Sequence, residues 1–417
     1  MRTPVPDYLQ ELLENIMTDS AGQVADYIPA LAAAPPDQCA IAVSTVHGNT
    51  YSVGDDSVEF SIQSVSKPFV YAAALEGLGF EAVDQKLGVE PSGEAFDELS
   101  LEAETHRPKN AMINAGAIVA HNLFTIASND HSERADAVTA FLSRLAGRDL
   151  HVDDEVFQSE METAHRNLAI AHMLRTYGVI TEEPHDVVRG YTAQCSVSVT
   201  VRDLAMMAAT LADRGRQPIT GEQVVAPHVA RRTLSVMAAA GMYDGAGSWL
   251  TAVGIPAKSG VSGGLIGSLP GQVGAAVFAP RLDEQGNSAR GIRAFSRLSA
   301  DMGMHLFDPE SRTDSVVREW SESRDGIEIR LQEELRFTGA EFLLSRLEQI
   351  PEGHSRVLFD LSNVHVMTDV GRRMLLEGMR RLRLDGHPIQ LHDPQSRLPE
   401  PDLGDGSMPD LVEEENR

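Results

Sequence analysis

The sequence predicts a mixed α/β (α+β) protein of two domains, and three observations carry that prediction. The chain has 417 residues, more than one hydrophobic core usually serves. Strand-like runs stand at both ends of its first three hundred residues: Ile41 to Val53 reads as a hairpin with His47, Gly48 and Asn49 at the turn, and Ala257 to Leu269 and Gly274 to Phe278 read as two more strands. A helix-rich interior lies between them, so one sheet closed by both ends of a domain is expected. Beyond residue 324 the pattern changes to short alternating strands and helices, the mark of a small second α/β domain.

In order along the chain, residues 1–307 are expected to form the first domain, finished by a helix near Ala294 to Met302. The polar run Asp308 to Glu322, DPESRTDSVVREWSE, reads as a linker spanning 308–324. Residues 325–394 then give a strand Ile327 to Leu331, a helix Thr338 to Gln349, a strand Arg356 to Leu361, a helix Asp369 to Asp385 and a strand Pro388 to His392. The last stretch, 395–417, combines proline, glycine and acids and is expected to be an acidic, disordered tail.

Composition excludes several classes of function. Hydrophobic residues make up 42%, with no apolar run long enough to span a bilayer, and the N-terminus shows no export signal. Two cysteines, Cys39 and Cys195, are too few for a disulfide framework or a cysteine-rich zinc site, which fits a cytoplasmic location. A formal net charge of −26 argues against nucleic acid or an anionic membrane as partner, because phosphates are held by clustered Lys and Arg. Acidity reads as solubility, with tolerance of high salt as a second reading.

Chemistry enters at QSVSKPFV, Gln63 to Val70, where Ser64 stands three residues before Lys67 at the start of an apolar helix. At that spacing both side chains share one face of the first turn. The pair is either a helix cap with a solvated charge, or a nucleophile with its base; S-x-x-K alone does not decide. Lys258, Ser259 and Gly260 form a late KSG, similar to the element that accompanies S-x-x-K in penicillin-recognising serine enzymes, although no S-D-N or Y-x-N lies between. Glu160 and Asn167, seven apart on a helix-like stretch, would share a face about two turns apart, roughly 10 Å by helical rise. Cys195, His165 and His172 lack the context of a thiolate nucleophile or a metal site.

Further motifs name a relative. IQSVSK (Ile62 to Lys67), EPSGEAF (Glu90 to Phe96), NAMINAGAI (Asn110 to Ile118), SEMETAHRN (Ser159 to Asn167), YTAQCS (Tyr191 to Ser196), GMYD (Gly241 to Asp244) and AKSGVSGG (Ala257 to Gly264) occur in the order seen in the serine-dependent glutaminases. The resemblance covers nearly the whole first domain and implies a β-lactamase-like fold with a helical subdomain. It also implies hydrolysis of L-glutamine to L-glutamate and ammonia with no metal or other cofactor. By the same resemblance Ser64 is the nucleophile, Lys67 its base, and Tyr243 passes a proton to the leaving ammonia. Tyr27, Asn114, Glu160, Asn167 and Tyr191 line the glutamine site with Ser64 and Tyr243, and Val261 lends its backbone N–H to the oxyanion hole. One departure is Ala111, where the family usually has proline, which bears on loop stiffness. The family commonly forms homodimers or homotetramers, and the same is expected here.

The stretch Val357 to Gly386 resembles the STAS domains of anti-sigma-factor antagonists and anion transporters. Where the antagonists carry Asp followed by a phosphorylatable Ser, this chain has Thr368 and Asp369, so the usual phosphoacceptor is missing and Asp369 reads as an N-cap. The domain is expected to bind an unknown protein partner rather than to catalyse.

Overall fold

The structure, a computed structural model, describes residues 3–92, 100–127, 134–308, 316–323, 326–404 and 406–412. It divides into two compact units, a larger one of Leu9–Ser299 and a smaller one of Met1–Tyr8 with Ala300–Arg417.

In the larger unit the strand Ala40–Thr45, AIAVST, is buried along its whole length, as its apolar run demands. It pairs antiparallel with Thr50–Gly54 on one side and with Val273–Phe278 on the other, so the two ends of the domain do meet in one sheet. Among the described residues that sheet has five strands, continuing through Gly264–Leu269 to Ala257–Ser259. The expected single strand Ala257 to Leu269 is therefore two strands with a tight turn between them. Gly263 at that turn has φ +98°, and a Cβ there would lie 2.4 Å from the Ala279 carbonyl oxygen, so only glycine fits.

The helix Val201–Ala212 packs on the sheet and is started by a capping box, Thr200 with Asp203. The helix Lys67–Leu78 is buried from Lys67 to Leu75, all round rather than along one stripe, because other helices surround it. Between helices and large sheet lies a small antiparallel sheet of Phe60–Ser61, Val197–Val199 and His151–Val152. Phe60 stacks on Phe278 with ring centroids 3.9 Å apart, and the Ile62 N–H donates to the Val197 carbonyl at 2.8 Å. The chain that leads into Ser64 is thus clamped from both sides.

The smaller unit is an alternating α/β arrangement. Strands Gly326–Leu335, Arg356–Met367, Ile389–His392 and Asp410–Leu411 run parallel in that order of neighbours, with Val317–Ser323 antiparallel on the far edge. Helices Phe337–Leu347 and Asp369–Leu384 supply the crossovers. Three expectations are corrected here. The linker contains an edge strand, since the polar VREWSES finds its hydrogen bonds on Gly326–Leu335. The tail is ordered over its described part, where Leu398 and Leu403 are buried and Asp410–Leu411 adds a strand. The cap of the second helix is Thr368, whose hydroxyl accepts from the Gly371 N–H at 3.2 Å, with Asp369 one place inside it. Positions 309–315, 324–325, 405 and 413–417 of the expected linker and tail lie outside the described residues.

Candidate active site

Ser64 sits in a single turn of 3-10 helix, Gln63–Ser66, that runs directly into the helix beginning at Lys67. Gln63, just before it, has φ +52°, a left-handed conformation that costs an ordinary residue roughly 1–2 kcal/mol and persists only when its surroundings over-determine it. Those surroundings are visible: the Gln63 side-chain amide donates to Ser61 Oγ at 3.0 Å and to Glu160 Oε1, and its carbonyl accepts from the Ser66 hydroxyl at 2.8 Å.

Lys67 is wholly buried, and loss of water lowers its amine from the usual 10.5 to about 7. Its Nζ donates to the Met112 carbonyl at 3.1 Å and to Asn114 Oδ1 at 2.7 Å. A neutral amine has two N–H bonds and one lone pair, so these two acceptors use both hydrogens and leave the lone pair for a third direction. Lys258 is buried as well; burial, reinforced by the Lys67 charge, holds it well below the usual amine range. It donates to the Tyr243 hydroxyl at 2.7 Å, and Tyr243 in turn shares a hydrogen bond with Ser64. Tyr243 also has a positive φ, +54°. Burial raises its phenol, so it stays protonated. The KSG lysine is thereby joined to the serine through a tyrosine.

A cavity of about 410 Å³ opens over this turn, lined by Tyr27, Ser64, Asn114, Glu160, Asn167, Tyr191 and Val261, together with Gln63, Arg166 and Cys195. A second cavity of about 910 Å³ shares Tyr27 and Val261 with the first, and Tyr243, the hydrogen-bond partner of Ser64, lines this second cavity only. Tyr27 is 55% exposed and forms part of the rim. Of the residues expected from the sequence, Tyr27, Ser64, Asn114, Glu160, Asn167, Tyr191 and Val261 line this cavity, whereas Lys67 reaches it through Asn114 and Tyr243 through Ser64. Glu160 and Asn167 are not on one helix, however: Asp154–Thr163 ends and His165–Thr176 begins on either side of Ala164. They converge on the cavity across that break instead of along a common face.

The polar groups hold one another in fixed orientations. Because Asn114 Oδ1 accepts from Lys67, its amide nitrogen faces Asn167 and donates to Oδ1 there at 3.3 Å, which turns the Asn167 amide N–H groups toward other acceptors. Glu160 is half-buried and faces the cavity, and loss of water around its carboxyl raises it to about 7 against the opposing bond from Gln63. Tyr191 is buried and its phenol is raised by burial.

Burial pushes the Cys195 thiol up to about 12, so it stays a thiol, bonded to Tyr191 and Ser66. His165 and His172 are exposed. Sequence reasoning missed Gln63 and Arg166, although both lie inside motifs that pointed to the site. EPSGEAF lies outside the described residues from Gly93 onward. Among the described residues no helix is long and apolar enough to cross a membrane, and no group of three or more His, Cys, Asp or Glu could hold a metal.

Comparison with known proteins follows the same path. A family model described as Glutaminase matches residues 22–307. The glutaminase of Corynebacterium efficiens is 49% identical over 411 residues, 99% of this chain and 97% of that protein. The glutaminase of Clavibacter michiganensis subsp. michiganensis is 46% identical over 299 residues, 72% of this chain and 91% of that protein. The crystal structure of Mglu in its L-glutamate binding form in the presence of 4.3 M NaCl matches with a TM-score of 0.73 and 46% identity, covering 96% of this chain and 100% of that one. The chain belongs to the glutaminase family of enzymes.

Proposed function

We propose that this chain hydrolyses the side-chain amide of L-glutamine to L-glutamate and ammonia through an acyl-enzyme on Ser64. The observation that carries the reading is the buried Lys67, whose two hydrogens are committed to carbonyl acceptors and whose lone pair is left to take the Ser64 proton. Ser64 then attacks the carboxamide carbon, and the backbone N–H groups of Ser64 and Val261 hold the oxyanion. Tyr243, kept protonated and bonded to both Ser64 and Lys258, gives a proton to the leaving ammonia. Water releases glutamate by the reverse sequence. Glu160 pairs with the α-ammonium and Asn167 donates to the α-carboxylate, with Tyr27 and Tyr191 walling the site. The L-glutamate binding form of Mglu supports the choice of ligand.

The pH profile tests this reading. Lys67 must be deprotonated to act and Glu160 deprotonated to bind, and both sit at about 7. Below that pH log kcat/KM should therefore fall with a slope approaching two, and Glu160→Gln should reduce the slope to one. A flat profile down to pH 5 would remove the lysine from the role of base.

For the larger unit the β-lactamase-like fold, and for the smaller unit the STAS-like reading, remain our inferences. They are supported by the S-x-x-K and KSG elements meeting at one tyrosine, and by the parallel sheet with its Thr368-capped helix. We assign the smaller unit to binding a protein partner and the enzyme to the cytoplasm, where the free buried thiols Cys39 and Cys195 are at home. A chain ending at residue 307 should keep its rate per active site within about twofold, because the relative of Clavibacter, matched over 91% of its length by 299 residues of this chain, has no room for a comparable second unit. A folded but inactive truncation, measured by circular dichroism and glutamate release, would tie the smaller unit to catalysis.

A further inference from the structure

We propose that Gln194 and His121 are positioning residues for the nucleophile turn, acting through a buried chain of hydrogen bonds whose polarity is fixed from end to end. The inference rests on the reading of Ser64 as nucleophile. The chain runs from His121 Nδ1 to Gln194 Oε1 at 3.0 Å, from Gln194 Nε2 to Ser66 Oγ at 2.9 Å, and from the Ser66 hydroxyl to the Gln63 carbonyl at 2.8 Å. His121, Gln194 and Ser66 are all fully buried, out of reach of bulk water.

Each link determines the next. The Gln63 carbonyl can only accept, so the Ser66 hydrogen is committed to it. Ser66 Oγ then offers lone pairs alone, and Gln194 must turn its NH₂ toward it. That leaves Gln194 Oε1 facing the imidazole, which must carry its proton on Nδ1. His121 is neutral, since burial lowers it to about 4, and its Nε2 is therefore a bare lone pair. Nε2 has no hydrogen-bond partner and lies against Gly190, where a Cβ would come within 2.4 Å of it. The opposite polarity would press an N–H against Gly190 with nothing to accept it and would take the Ser66 hydrogen from Gln63. An orphaned buried donor costs more than an unused lone pair.

The consequence falls on Ser64. Gln63 is held at φ +52° partly by the Ser66 hydroxyl, and Ser64 is the next residue, so the chain sets where the nucleophile stands. It also joins the nucleophile turn to the substrate wall: His121 is on the helix Asn114–Ala127 that begins with Asn114, and Gln194 is on the helix Pro184–Cys195 that carries Tyr191.

The test uses the full-length enzyme. Asparagine at 121 can place its amide N–H where Nδ1–H was, so His121→Asn should keep kcat within about threefold, whereas His121→Leu and Gln194→Glu should lower it roughly tenfold to a hundredfold with KM little changed. Equal loss in His121→Asn and His121→Leu, or loss confined to KM, would overturn the proposal. ¹⁵N-histidine NMR of the wild-type protein, with the His121→Asn spectrum assigning the resonance, should show one imidazole protonated at Nδ1 and bare at Nε2. A His121 protonated at Nε2 overturns the proposal even if the leucine variant does not fold. Failure of the nucleophile assignment would show separately, as turnover surviving in Ser64→Ala.

Discussion

Ser64→Ala is expected to remove glutamine turnover by roughly four orders of magnitude while leaving the fold intact, and Lys67→Met should do nearly the same. In the proposed mechanism the two side chains act as one unit, since the serine is useless without an acceptor for its proton and the lysine has nothing to accept without the serine. Their double replacement should therefore be little worse than either single one, whereas independent contributions would multiply. Neither variant buries a new polar group or charge, although Lys67→Met leaves the Met112 and Asn114 oxygens without that donor, and thermal unfolding should show folded protein. The measurement is ammonia and glutamate release by purified enzyme; near-normal release from Ser64→Ala would end the acyl-enzyme mechanism.

Glutamine should be preferred over asparagine by about a hundredfold or more in kcat/KM, because a carboxamide misplaced by about 1 Å loses on the order of that factor. The reason lies in how the far end of the cavity is held. Gln63 fixes Glu160, and Lys67 through Asn114 fixes Asn167, so the groups proposed to grip an amino acid's backbone cannot follow a shorter side chain inward. Glu160→Ala should lower kcat/KM for glutamine by thirtyfold or more, as removal of one partner from a buried charge pair costs about 2–5 kcal/mol. Equal rates on the two amides would show that Glu160 and Asn167 do not hold the substrate backbone.

The sequence made legible what depends on residue type and order. Hydrophobic runs placed the first and last strands of the large sheet, and the succession of motifs pointed to residues that line one cavity, with Lys67 and Tyr243 each one hydrogen bond away from it. It did not make legible what depends on backbone geometry or on distant partners. Ala164, where two helices part, is neither glycine nor proline, and SEMETAHRN reads straight through it. The positive φ of Gln63 is imposed by bonds to Glu160 and Ser66, the first of them 97 residues away. Likewise VREWSES has no apolar face to announce a strand, and becomes one because Gly326–Leu335 offers an open edge.

The burial of Lys67 and the desolvation of Glu160 also change how many protons the folded and unfolded chains hold. Lys67 falls to about 7 on folding, so its contribution to stability is fully present only above 10.5 and drains away as pH drops toward 7. Glu160 rises to about 7, so its contribution is intact below 4.5 and drains away as pH climbs toward 7. The two losses meet at neutrality, where the empty site is at the bottom of a trough in the stability curve. An amino acid whose ammonium sits on Glu160 relieves one side of that trough. With the substrate placed as proposed, neutrality is thus the pH at which the fold gains most from being occupied.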